Sequence, residues 1–402
     1  MRATGVVVEH NPFHNGHLYH IKESRKNTGA DVVIAVMSGN FLQRGEPALV
    51  DKWSRTKMAL QGGVDIVIEL PYIFATAQAS DFAKGSIALL EAAGCTNFCF
   101  GSEQGSIEPF INTYDLITSQ QESYQQSINQ FMKTGMSYPK ALNEAYADLI
   151  KGYNQPFVDL SQPNNILGYH YIEAAYQLQA SIKPVTIQRI VSGYHDDVLP
   201  GQSIASATGI RKVIFNDQGI SDLTSLLPKA SLQNIVEWQS NIGSFGSWQH
   251  FYPYLRFQIV RSSIEQLASY AEVTEGIEYL LKEAAQKSNT FETFMEVVKS
   301  KRYTWTRIQR MLTHIYTGFT WEDLKQASSP TYLRLLGMTE MGQRYLNEHK
   351  KNLSLPLISR VGAVKDSMLS HDIKATDLYT LGIQSHAFNQ PIGRDYRQPP
   401  IR

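Results

Sequence analysis

Ala3-Thr4-Gly5-Val6-Val7-Val8-Glu9-His10-Asn11-Pro12-Phe13-His14-Asn15-Gly16-His17 decides how this chain is read. An apolar strand, Ala3–Val8, comes first. Pro12 then stops it, because proline has no N–H for a strand ladder. His14 and His17 flank Gly16 where a helix over 16–26 is expected to begin. Glycine lets a ligand approach the backbone closely. A helix N-terminus offers unpaired N–H groups and a positive dipole end, which suit phosphate. Two imidazoles across that turn can stabilise charge developing on the α- and β-phosphates during nucleotidyl transfer. The plainer reading is a capped helix with incidental histidines. Two histidines around one glycine, directly after a first strand, favour phosphate.

Outward from this stretch, strands and helices alternate. Strands are expected at 31–37, 65–70, 97–100 and 185–191, and helices at 52–61, 79–93, 107–152 and 164–180. Unbroken Val/Ile runs such as DVVIAVM and DIVIEL indicate strands buried on both faces. The alternation predicts an α/β fold, a Rossmann-like parallel doubly wound sheet with its ligand beyond the carboxyl ends of the strands. After 226–228 the pattern turns almost purely helical, at 254–271, 273–288, 291–298 and 306–316. Residues 353–383 read as shorter mixed elements. The tail 390–402 holds three prolines and three arginines and reads as an extended arm. Two units are expected: 1–215, built around the sheet, and 216–402, mainly helical.

Composition excludes several classes. The 402 residues are 43% hydrophobic and 18% charged, which is globular rather than disordered. Basic and acidic residues balance at 37 each, so a generally basic nucleic-acid binder is not indicated. No apolar run reaches the roughly 18 residues of a membrane helix. Val6–Val8 is too short for a secretory leader, so a cytoplasmic protein is expected. Cys95 and Cys99 sit in the apolar segment CTNFCF. They read as buried thiols, with no metal site around them.

A second segment, SIASATGIR at 203–211, follows the last expected strand of the first unit. The hydroxyls of Ser206 and Thr208 can hold β- and γ-phosphates, and Arg211 can neutralise a departing pyrophosphate. Ser-Ala-Thr before a helix is equally an ordinary N-cap. HNGH resembles the HxGH signature of the HIGH nucleotidyltransferase superfamily, and SATGIR resembles its S-x-T-x-I-R motif. The KMSKS motif of aminoacyl-tRNA synthetases is absent. Further segments are VDKWSRTKMA (50–59), GVDIVIELP (63–71), FGSE (100–103), PNNILG (163–168) and KSKRYTWTRIQR (299–310). Together they resemble the bacterial tRNA(Met) cytidine acetate ligases over essentially the whole chain. That family usually has Tyr where this chain has His10.

The resemblance implies that acetate is activated by ATP to acetyl-adenylate. The acetyl group then passes to N4 of the wobble cytidine of elongator tRNA(Met). It implies ATP over Val7, Val8, Glu9, His10, Asn11, Pro12, Phe13, His14, Asn15, Gly16, His17 and His20, with His14 and His17 catalytic. Gly101 would let adenosine pack against the backbone, and Ser102 and Glu103 would reach ribose or base. Asn164 and Asn165 either cap a helix or reach the nucleotide. Arg189, with Ile190 beside it, sits at the end of the last strand, facing adenine or phosphates. Magnesium is expected with ATP. No obligate protein partner and no covalent nucleophile are implied, since the acetate carboxylate and the cytidine amine are themselves the nucleophiles.

Lys299, Lys301, Arg302, Arg307 and Arg310 lie in one acid-free stretch interleaved with Tyr303 and Trp305. Cations can bind phosphates and exposed aromatics can stack on unpaired bases. A solvated basic helix face with core aromatics fits the same pattern equally. Lys350, Lys351, Arg394, Arg397 and Arg402 are further candidates. The competing functions are a small-molecule adenylyltransferase acting on a phosphorylated cofactor precursor, and a non-catalytic RNA binder. Length beyond residue 215 speaks against the first, and the two phosphate motifs together against the second. The loop 39–45 (GNFLQRG) is a candidate lid.

Overall fold

Apolar runs build the sheet. Every residue of β2 (Val32–Ser38) and β3 (Ile66–Leu70) is buried, as their unbroken Val/Ile sequences require. In a computed structural model, residues 1–189, 204–216, 223–300, 303–326, 328–383 and 392–402 are described. The other strands are β1 (Ala3–Val8), β4 (Asn97–Ser102), β5 (Lys183–Gln188), β6 (Leu333–Met338) and β7 (Leu357–Ile358). They lie in the order β5-β4-β1-β2-β3-β6-β7. Strands β1 to β5 are parallel. The chain runs from β1 out to β3, then returns to the other side of β1 for β4 and β5. This reversal opens a crevice at the carboxyl ends of β1 and β4.

Helices pack on the sheet where local signals allow. Asn15–Thr28 ends on Gly29 at φ 57°, a left-handed position that suits glycine. Lys52–Gln61 starts where the Asp51 carboxylate accepts from Ser54 N at 2.8 Å. The expected helix 107–152 is three helices, Glu108–Ser119, Gln121–Lys133 and Tyr138–Leu149. The expected helix 254–271 begins earlier and divides into Trp248–Arg261 and Ile264–Ser269. Ser263 divides it: its hydroxyl accepts from Gln266 N and its backbone N–H donates to the Gln266 side chain, a reciprocal cap that starts a new helix. The region 353–383, read as short mixed elements, contains the sixteen-residue helix Ser367–Gly382, capped by Asp366.

Strand β6 is new relative to the sequence reading. It pairs antiparallel with β3, so the sheet is mixed, and β7 extends it further. The C-terminal residues also join it. Ile401 donates to Leu336 O at 2.8 Å and accepts from Met338 N at 2.9 Å. Where the prolines suggested a loose arm, Asp395 enters the core, only 3% exposed. Lys52, fully buried, meets Glu69 at 2.7 Å and Asp395 at 2.9 Å. Burial alone would strip the proton from Lys52, but the two carboxylates outweigh it and hold the amine charged. Cys95 and Cys99 are buried free thiols. No helix among the described residues is long and apolar enough to cross a membrane.

Candidate active site

The HNGH segment sits at the carboxyl end of β1, in the crevice. His14 is the N-cap of helix Asn15–Thr28, and its Nδ1 accepts from Gly16 N at 3.1 Å. His14 N donates to Nδ1 of His17 at 3.3 Å. The two rings stack with centroids 3.8 Å apart. Burial pushes the His14 imidazole down to about 3, and the charges of Arg189 and Arg211 add to it. His17 is pushed well down by burial, then by His14, His10, His20 and Arg189. Both rings are therefore neutral at pH 7. A neutral imidazole has one N–H, and each Nδ1 already accepts a bond, so both protons reside on Nε2. The local fold fixes two donors of one tautomer at a helix N-terminus.

His10 and His20 complete the histidine group. His10, 1% exposed at φ 50°, lies 4.7 Å from Phe13 and 4.8 Å from His17 between centroids. Neither of its ring nitrogens has a partner, and Nε2 of His20 has none. Burial holds His10 neutral and lowers His20 to about 4. Asn11 is buried, and its Oδ1 accepts from Leu49 N at 2.7 Å. Half-buried Glu9 accepts from Gln43 N at 2.8 Å. Val7 and Val8 lie in β1, Pro12 follows a cis peptide bond, and Phe13 is fully buried.

The second motif folds against the first. Ile204 Cγ2 lies 3.7 Å from where a Gly16 side chain would begin. Arg211 donates to Asn11 O at 3.0 Å and pairs with Glu46 at 3.3 Å. Thr208 Oγ1 lies 3.4 Å from the same guanidinium. Ser206 is the N-cap of helix Ala207–Phe215 and accepts from Gly209 N at 3.1 Å. Asn15 N and Nδ2 donate to Leu226 O and Ser225 O at 3.1 and 2.8 Å.

The far wall comes from β4 and β5. Gly101 leaves room for Arg189, whose Cγ lies 3.2 Å from the missing Cβ. Arg189 donates to Asn164 Oδ1 at 3.1 Å. Glu103 accepts from Asn164 Nδ2 at 2.5 Å and Asn165 N at 2.9 Å, so it caps helix Pro163–Gln177 from outside. Asn165 is buried, donating to Asp159 O and accepting from Glu103 N and Gln104 N. These bonds tie the start of helix Pro163–Gln177 to the end of β4. Ser102 is buried, with Thr186 Oγ1 at 2.8 Å and Gly105 N at 2.9 Å. Ile190 lies outside the described residues.

Arg55 went unnoticed in the sequence. Fully buried, it donates to Val50 O (3.2 Å), Glu9 O (2.7 Å), Ser38 O (3.0 Å) and Gly39 O. One guanidinium thus ties the ends of β1 and β2 beneath the histidine loop. The loop 39–45 is pinned rather than free. Phe41 and Leu42 are buried, and Gly45 O accepts from Trp248 Nε1 and Thr313 Oγ1, each at 3.0 Å.

In the basic stretch, Lys299 Nζ donates to Ser300 O and Tyr303 O, each at 2.7 Å. Arg307 donates to Thr274 and lies over the buried Tyr303 ring at 5.0 Å. Arg310 pairs with Glu272 at 2.8 Å. These contacts are internal. Trp305 is 44% exposed. Lys301 and Arg302 lie outside the described residues.

A HIGH Nucleotidyl Transferase family model matches residues 1–392. A tRNA(Met) cytidine acetate ligase of Lysinibacillus sphaericus is 55% identical over 100% of both chains. One from Bacillus subtilis is 43% identical over 100% of this chain and 97% of its own. The crystal structure of apo Thermotoga maritima TmcAL superposes with a TM-score of 0.93 at 31% identity, covering 100% of this chain and 99% of that one. The same protein bound with alpha-thio ATP gives 0.91 at 30%, with the same coverage. The chain belongs to the HIGH nucleotidyl transferases and, within them, to the tRNA(Met) cytidine acetate ligases.

Proposed function

We propose that this protein joins acetate to ATP and passes the acetyl group to N4 of the wobble cytidine of elongator tRNA(Met). One observation carries the reading: two neutral Nε2–H donors at a helix N-terminus, at the switch point, with Arg189 and Arg211 acting on them. ATP phosphates laid there meet His14 and His17 on one side and guanidinium charge beside them. A carboxylate oxygen of acetate attacks the α-phosphorus, and pyrophosphate leaves. The cytidine amine then attacks the acetyl carbonyl, and AMP leaves. The histidines and arginines stabilise charge at the phosphates, and the rest of the site positions them.

ATP is assigned to Val7–Val8, the loop from Glu9 to His17, His20, Gly101, Ser102, Asn164, Asn165, Arg189, Ile190, Ser206, Thr208 and Arg211. Magnesium enters as the counter-ion of the phosphates. Among the described residues no three His, Cys, Asp or Glu side chains gather to hold an ion by themselves. Residues 1–215, which supply five of the seven strands, are assigned the ATP chemistry, and 216–402 the tRNA, including Lys299, Lys301, Arg302, Arg307 and Arg310. Full-length similarity to the ligases disfavours a small-molecule adenylyltransferase.

The test is label transfer from radiolabelled acetate to bulk bacterial tRNA with ATP and magnesium, followed by nucleoside separation. ATP-dependent label in N4-acetylcytidine is expected. Unlabelled RNA, with pyrophosphate released only when a phosphorylated cofactor precursor is added, would overturn the proposal.

A further inference from the structure

Helix Trp248–Arg261 has an outer face without a partner in the described chain. Its buried side is Trp248, Phe251, Tyr252, Leu255 and Ile259. On the other side Tyr254 is 42% exposed, Phe257 65% and Val260 44%, with Arg261 also exposed. Positions 254, 257 and 261 fall on one stripe of a helix. The Arg261 guanidinium lies 5.8 Å from the Phe257 ring. Tyr279, 64% exposed, projects from the helix Ile277–Lys287 packed against this one. Lys282 of that helix donates to Val260 O and Ser262 O, so the two exposed faces adjoin.

Charge selects among possible occupants. Helix Trp248–Arg261 contains Arg256 and Arg261 but no Asp or Glu. The nearby acid Glu283 is paired with Lys287 at 2.5 Å. A strip of exposed aromatic rings with a guanidinium among them, most of it on a helix without an acid, matches unpaired bases joined by phosphates.

The strip is also placed for the reaction. Its helix begins at Trp248, whose indole holds Gly45 O. Residue 46, next along, pairs with Arg211 of the phosphate site. Tyr254 to Arg261 therefore lie roughly 9–20 Å along the helix axis from Trp248, at 1.5 Å per residue.

Resting on the ligase reading, we infer that Tyr254, Phe257, Arg261 and Tyr279 form a stacking platform for unpaired tRNA nucleotides flanking the cytidine that is acetylated. This surface adjoins the basic stretch through helix Trp305–Thr317, which packs on helix Trp248–Arg261. Its exposed aromatic rings supply what the buried Tyr303 cannot.

The experiment uses the full chain and fluorescently labelled tRNA(Met) transcript. Phe257→Ala, Tyr279→Ala and Arg261→Ala are compared with the parent by anisotropy and by acetate-dependent pyrophosphate exchange. Each aromatic variant is expected to bind tRNA on the order of tenfold more weakly. Arg261→Ala should flatten the log–log salt slope by about 0.7, one contact to a single strand. Pyrophosphate exchange without tRNA and the melting temperature should not change. Parental tRNA affinity in all three variants overturns the platform. So does a parent that sediments as a dimer the variants dissolve, since the face would then bind a second copy. If the parent binds tRNA but makes no acetyl-adenylate, the ligase reading fails, while the affinities still judge the platform.

Discussion

Replacing Gly16 by alanine separates the chemistry of the histidine pair from the stability of the fold. A methyl there would lie 2.9 Å from Cε1 and 3.0 Å from Nδ1 of His14. The imidazole must retreat by about 0.5 Å to restore a normal carbon contact. It cannot do so alone. Its Nδ1 holds Gly16 N, and its face stacks on His17 at 3.8 Å. Both Nε2–H donors therefore move. A misplacement of about 1 Å costs on the order of a hundredfold in rate, so a loss of roughly ten- to a hundredfold is expected. Stability should barely change. Alanine in place of glycine gains at most about 1 kcal/mol of helix propensity, and weakening the His14 cap costs about the same. The assay is acetate-dependent pyrophosphate exchange beside a thermal melt. A variant with parental exchange and an unchanged melt would refute the claim that these imidazoles act where the structure holds them.

Arg55→Lys cannot reproduce the fork on Glu9, Ser38 and Gly39 carbonyls. Stability should fall by about 2–4 kcal/mol, with two or more buried carbonyls left unpaired, and the KM for ATP should rise. An unchanged denaturation midpoint contradicts this. Acid should destabilise the protein through its neutral histidines. His14 and His314 are both lowered to about 3 by burial. Between about pH 6.5 and pH 3 the unfolded chain binds protons that the folded chain refuses. Stability thus falls with pH in that window, by up to about 1.4 kcal/mol per unit for each group. Denaturation midpoints that do not differ between pH 7 and pH 5 would contradict it. Residues 1–215 expressed alone should be insoluble, because β3 loses its β6 neighbour and Lys52 loses Asp395. A soluble monomer with a cooperative melt would show that unit to be self-sufficient.

Much of the sheet was legible because its signal is local. The strands Ala3–Val8 and Asn97–Ser102 are short apolar runs, and Lys52–Gln61 announces itself with Asp51. The local shape of HNGH was legible for the same reason: the strand end, the cap and the helix start lie in adjacent residues. What escaped was non-local. LRLLGM becomes a strand because β3 offers it an edge, and its buried Arg334 makes sense only beside Asp395, 3.9 Å away. The tail looked loose because prolines dominate it, yet Asp395 is drawn in by an amine more than three hundred residues away. Arg55 was invisible because its partners are backbone carbonyls, which no side-chain pattern reports. In the basic stretch, the acids that engage it, Glu272 and Glu275, lie about thirty residues upstream.

The site's electrostatics follow from one economy of geometry. Helix capping demands acceptors, and His14 and His17 supply them with Nδ1. That same demand forces the remaining proton of each ring onto Nε2. Burial then keeps the rings neutral, so on the proposed reading they add no net charge to the binding of ATP before reaction. On that reading the charge comes instead from the guanidinium groups of Arg189 and Arg211. Neutral donors fixed in direction gain most as negative charge grows on the oxygen they face, which is the transition state rather than the bound substrate. A protonated imidazole here would strengthen the ground state too. The cap that starts the first helix thus also selects the tautomer that the proposed chemistry would use.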